Sequence, residues 1–139
     1  MRRFLFLPQL KRHEDVAYFL LRLLTGCFLV YGVWDNMTSI IRMREFVEFM
    51  RASGFALPEV LAPFSVYTQF LAGIGLIFGL FTRWSGIIIA ITFIVGIVMV
   101  HWDQTFREWW PAAVLVGLGF LFATRGAGRF GIDTFLERT

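Results

Sequence analysis

The chain reads as an all-α integral membrane protein: a four-helix bundle with an interfacial amphipathic helix between its first two spans. Three observations carry this reading. The stretch 16–34, VAYFLLRLLTGCFLVYGVW, is nearly all apolar and holds one charge, Arg22. A helix of that length rises roughly 28 Å, enough to cross a bilayer's hydrocarbon core. Three more apolar stretches follow, at 61–81, 84–101 and 109–124. Mean hydropathy is +0.68 and 17% of residues are charged, where soluble domains carry about a quarter.

Residues 1–15 form a short tail with Arg2, Arg3, Lys11 and Arg12. The stretch after it is too long for a secretory h-region, is interrupted by Arg22 and meets no small-x-small cleavage site, so it reads as retained. Residues 16–124 then make one transmembrane domain, and 125–139 a polar, glycine-rich, basic tail. Between the first two spans, Ile40, Met43, Phe46, Val47 and Met50 share one helical face, and Arg44, Glu45, Glu48 and Arg51 the other. This pattern predicts an amphipathic helix closed by Gly54, lying in the interface or over the bundle mouth. A plain surface connector is the alternative.

Gln69 is the polar break of the second span, and Gly75 and Gly79 form a GxxxG pair expected to pack against a neighbouring helix. Thr82 and Arg83 leave no room for a loop, so the third span turns straight back. Pro111 is expected in the first turn of the fourth span, where a missing N–H is harmless. Lys and Arg divide eight to four in favour of the side holding both termini, which places the termini in the cytoplasm of a cell inner membrane.

The net charge of +3 is spread over the loops and does not form one patch, which excludes nucleic acid as a partner. Cys27 is the only cysteine, so no intrachain disulfide or cysteine metal site can form. The sequence lacks a dinucleotide or Walker loop and a pair of intramembrane histidines, and no catalytic constellation is visible.

Chemistry then falls to the few polar residues in or near the spans: Arg22, Thr25, Asp35, Gln69, Thr92, His101, Asp103 and Glu108. A charge as deep as Arg22 costs about 2.5–3.5 kcal/mol on insertion scales, so it should face protein, toward Gln69 of the second helix. Two readings stand. Arg22 is satisfied by Gln69, Thr25 or carbonyls and sets packing; or it binds an anion or a quinone carbonyl, which a guanidinium does well. Asp35, His101, Asp103 and Glu108 gather at the opposite end of the bundle from the termini. One histidine among scattered carboxylates makes a poor metal site, and no metal is expected. The ligand-binding candidates are Arg22, Thr25, Gln69, Asp35 and His101.

The order of these features resembles the DoxX family of small four-helix membrane proteins. The likeness runs from about residue 18 to 133. It rests on LRLLTG (21–26), YGVW (31–34), GFALP (54–58), QFLAGIGLIFGLFTR (69–83), His101 and the GAGRFGID ending (126–133). Two positions depart from the family's pattern: Asp35 stands where lysine is common, and Gln69 where glutamate is common, so an intramembrane Arg–Glu pair becomes Arg–Gln. The resemblance implies a membrane component of oxidoreductase systems, some of them thiosulfate- or quinone-linked. The resulting expectation is an auxiliary or quinone-contacting subunit, with quinone as the cofactor class. The alternatives are a carrier or binder of a small lipophilic or anionic molecule, and a non-catalytic scaffold for a soluble partner. The bilayer, redox-complex subunits and a second copy of the chain are the expected partners.

Overall fold

The computed structural model describes residues 2–139, with side chains from residue 4; the side chains of Arg2 and Arg3 lie outside the described residues. Among the described residues every regular element is helical: α1 (Arg2–Phe6), a 3-10 turn (Pro8–His13), α2 (Glu14–Thr38), α3 (Ile40–Ala52), α4 (Pro58–Phe78), α5 (Thr82–Gly96) continued by a π-helical turn (Ile97–His101), α6 (Phe106–Arg125) and α7 (Ile132–Leu136). Among the described residues three helical stretches are long and apolar enough to cross a membrane: Pro8–Thr38, Pro58–Phe78 and Thr82–His101. In α6, Arg107, Glu108 and Arg125 occupy the two ends and shorten the apolar run.

Two antiparallel pairs, α2 with α4 and α5 with α6, build the bundle. Each is drawn close by a glycine crossing. A Cβ on Gly26 would lie 2.7 Å from the Gly73 carbonyl oxygen, and one on Gly119 would lie 2.7 Å from that of Gly86. Apolar burial drives no helix association in lipid, so this close backbone approach supplies the attraction instead. The fully buried side chains Leu29, Leu76, Ile89 and Phe122 fill the space between the pairs.

The Gly75–Gly79 pair acts differently from the expected packing motif. Gly79 has φ +67° and is the left-handed cap that ends α4, a conformation glycine adopts without penalty. Its Cβ position faces the Arg22 guanidinium of α2 and the Gly131 backbone, while Gly75 faces Ser85 of α5, so the two glycines meet different neighbours rather than one helix. Pro111 also moves. The chain enters α6 at Phe106, so Pro111 is the sixth helical residue, beyond the first turn. The earlier start comes from a capping box in which Thr105 and Glu108 satisfy each other's backbone N–H groups.

Helix α3 forms as the periodicity predicts and crosses the mouth of the bundle. Met50 is buried and Met43, Phe46 and Val47 are half-buried, with Arg42 paired to Glu45 and Arg51 to Glu48 and Glu59 outside. Only Ile40 leaves the expected face and is exposed. The start of α2 and the end of α6 meet at the opposite end of the bundle, where Arg125 lies 3.6 Å from Asp15.

Candidate functional site

Four of the five candidate residues fall into two regions, Arg22 with Thr25 and Gln69 with His101, and Asp35 lies apart from both. Arg22 is wholly inaccessible to solvent, and its hydrogen-bond partners are not on α4. One terminal nitrogen donates to the Ala127 carbonyl and the other to the Phe130 carbonyl at 2.9 Å. The expected pairing with Gln69 is therefore corrected. Because α2 and α4 are antiparallel with Gly26 against Gly73, Arg22 sits level with Gly79, whereas Gln69 sits level with Gly32. Gly32 and Arg22 are ten residues apart in α2, roughly 15 Å of helix rise.

The tail is thus part of the folded core. Tyr18 donates its hydroxyl to the Gly126 carbonyl at 2.5 Å, and Thr134 donates to that of Gly128 at 2.5 Å. Asp133 accepts from the backbone N–H groups of Phe81 and Thr82, both at 2.8 Å, and so caps α5 from 51 residues away. Its own N–H donates to the Gly79 carbonyl. Among the described residues no carboxylate lies within ion-pair distance of Arg22, so the tail holds the guanidinium through carbonyls. The Arg22 Nε has no hydrogen-bond partner among the described residues. Thr25, one turn on, donates back to the Leu21 carbonyl and serves its own helix. Asp35 is exposed near the end of α2.

Gln69 and His101 are brought together, in a second region. Both line a cavity of about 670 Å³ under α3, walled by α4, α5 with its π turn, and α6. Such a volume suits a drug-sized or cofactor-sized molecule. Its walls are mostly apolar and aromatic, Phe46, Phe49, Phe64 and Phe93 among them. The π turn supplies Val100 and His101, a place where helices often carry function. Pro111 lies in the wall, and Gly96 borders the space with nothing within 4 Å of its Cβ position.

Among the described residues the Gln69 amide has no hydrogen-bond partner. His101 Nδ1 lies 2.6 Å from Gln104 Oε1. With that oxygen accepting, Nδ1 carries the proton and Nε2 of the neutral ring is an acceptor. Glu108, at the mouth, receives Thr105 N–H at 2.9 Å and the Thr105 hydroxyl at 3.0 Å. The backbone bond, seconded by the hydroxyl, holds its carboxyl below the usual carboxylate range. The cavity therefore joins an apolar body to one amide, one imidazole and one ionised carboxylate. Among the described residues no three His, Cys, Asp or Glu side chains converge on a common point.

Two features escaped the sequence reading. The tail carbonyls around Arg22 belong to the backbone, and no residue type announces them. The T-x-x-E pattern at 105–108 was legible as a capping box and fixes where α6 begins, and hence where Pro111 and Glu108 face.

The chain is 25% identical over 135 residues to the inner membrane protein YqjF of Escherichia coli (strain K12), an alignment covering 93% of this chain and 98% of that protein. No solved structure gives a significant match. The model of the DoxX family matches residues 17–102, from α2 through the π turn that carries His101. That match spans more than half of the sequence and includes Arg22, Gln69 and His101, and the chain belongs to the DoxX family.

Proposed function

We propose that the protein binds a lipophilic molecule with a carbonyl-bearing head, of the quinone class, and serves a membrane oxidoreductase system as an auxiliary subunit. The cavity under α3 carries this reading, because it pairs aromatic walls with an unpartnered amide and an imidazole held through Nδ1 by Gln104, its Nε2 left over. A planar ring stacks or packs edge-on against Phe46, Phe49, Phe64 and Phe93. The Gln69 amide donates to one carbonyl oxygen, and His101 Nε2 accepts from the hydroxyl of the reduced form. Glu108 gives the imidazole a route for protons to the mouth of the bundle. Arg22 takes no part, since both of its terminal nitrogens are engaged by the tail. In this arrangement α6 is the fourth crossing of an inner membrane, and the end bearing both termini faces the cytoplasm.

The test is purification in mild detergent, followed by extraction and mass spectrometry of bound lipophilic molecules. We expect a stoichiometric quinone. Gln69→Leu should weaken retention of a short-chain quinone roughly five- to tenfold through one lost hydrogen bond. Gly96→Leu, which grows into open space, should exclude it while the fold persists. No quinone in the extract, together with no thermal shift on adding a short-chain quinone, sinks the proposal.

A further inference from the structure

We propose a second binding site: the basic cleft at the tail end takes the headgroup of an anionic phospholipid, and the bound lipid braces the tail against the bundle. The cleft, about 460 Å³, lies between the α4–α5 corner, the end of α6 and the tail. Arg83, Arg125, Arg129 and Arg138 line it against two carboxylates, Asp133 and Glu137. Four guanidinium groups against two carboxylates leave the cleft net positive, and both Asp133 oxygens are occupied by backbone N–H groups rather than by an arginine.

The four arginines are not equally free. Arg83 donates to the carbonyls of Ala123 and Thr124, and Arg125 stacks on the Tyr18 ring at 4.2 Å. Arg129 and Arg138 form neither an ion pair nor a side-chain hydrogen bond among the described residues. Two guanidinium forks are therefore available to phosphate oxygens, which they bind in pairs.

The rim selects the occupant. Phe81 and Trp84 border the cleft and are each 66% exposed. Trp84 stands in the first turn of α5, at the level where an indole ring favours the membrane interface. Phosphate in the cleft would thus have acyl chains beside it along α5, an arrangement a free anion does not use. A choline headgroup would bring a cation among the arginines, whereas a phosphatidylglycerol headgroup would not. Basic pockets between membrane helices take anionic headgroups in this way.

The floor of the cleft is the backbone of 126–128, whose carbonyls hold Tyr18, Arg22 and Thr134. A headgroup seated there restrains the same segment that satisfies the buried arginine, so binding should raise stability. The experiment uses the full chain in neutral detergent. Thermal unfolding is followed with added phosphatidylglycerol, phosphatidylcholine of the same acyl chains, or inorganic phosphate. Phosphatidylglycerol alone should raise the midpoint by several degrees and remain bound in native mass spectra. Arg129→Gln combined with Arg138→Gln should weaken that binding roughly thirty-fold, with the midpoint in phosphatidylcholine unchanged. Should the double variant unfold, Arg138→Gln alone, at the exposed chain end, should weaken binding roughly fivefold. Equal shifts from the two lipids, an equal shift from phosphate, or undiminished affinity in the folded variant would overturn the proposal.

Discussion

Replacing Asp133 by alanine tests the core of this architecture. Helix α5 begins at Thr82, and its N-cap residue, Phe81, offers no side-chain cap. Asp133 fills that role from the tail, one carboxylate oxygen to each of two N–H groups. Losing an N-cap acceptor costs about 0.5–2 kcal/mol. Thr82 is fully buried, so its N–H would be left without water, at about 1–3 kcal/mol. These overlap, while the N–H of exposed Phe81 regains solvent. The sum is about 2–3 kcal/mol, or a fall of roughly 6–10 °C in unfolding midpoint at a few degrees per kcal/mol. Asp133→Asn keeps one acceptor oxygen and should fall about half as far. The assay is thermal unfolding in detergent, with hydrogen exchange read at the Thr82 amide, which should quicken. An alanine variant that melts within a degree of the parent and protects Thr82 equally would refute the reasoning.

The remaining predictions concern burial, close approach and protonation. Arg22→Met should destabilise the fold by about 2 kcal/mol in chemical or thermal unfolding, because the buried Ala127 carbonyl loses its donor and no side-chain change can make that carbonyl apolar. A variant as stable as the parent would show that the carbonyl finds another donor. Gly26→Leu or Gly119→Leu should each loosen the bundle by about 1–3 kcal/mol or more, since both meet backbone within 3 Å. Gly117→Leu, with nothing within 4 Å of its Cβ position, should leave the midpoint unchanged, and equal losses at all three sites would refute the crossing geometry. The Glu108 carboxyl is depressed by its Thr105 bonds. Its capping contribution is therefore complete above the unfolded carboxylate range and lost as pH falls through the folded value. Hydrogen exchange in the first turn of α6 should rise in that acidic window, and Glu108→Gln should remove the pH dependence.

How much of this was legible depends on whether side chains or backbone carry the structure. Met43, Phe46, Val47 and Met50 fall on one face by helical period alone, and α3 buries that face. Arg22 is conspicuous in an apolar stretch, and its burial in protein followed from the energy of a charge in lipid. Its partners were not legible, because carbonyls at Ala127 and Phe130 are common to every residue type. Helix register hid the error over Gln69. Placing two residues near the middle of their own spans left the offset between the spans undetermined, and the Gly26–Gly73 crossing sets it. Gly79 read as a packing residue because GxxxG spacing carries no information on φ. The cavity was only half visible: Gln69 and His101 stood out as polar, but the phenylalanines around them could not be told from lipid-facing ones.

The clasp on Arg22 also imposes an order of events during synthesis. The arginine and the Ala127 carbonyl are 105 residues apart. At about 5–20 residues per second, translation of that interval takes roughly 5–20 s. Throughout it, α2 holds a guanidinium whose eventual acceptors do not yet exist. Arg22 lies eight residues after Glu14, roughly 12 Å along the helix axis, within reach of the headgroup layer if the side chain extends toward the helix start. The growing chain can therefore park the charge at the surface and draw it inward only when 126–133 emerge. A ribosome that stops before Ala127 leaves the charge without its lock, so residues 126–133 separate a chain that can close over its arginine from one that cannot.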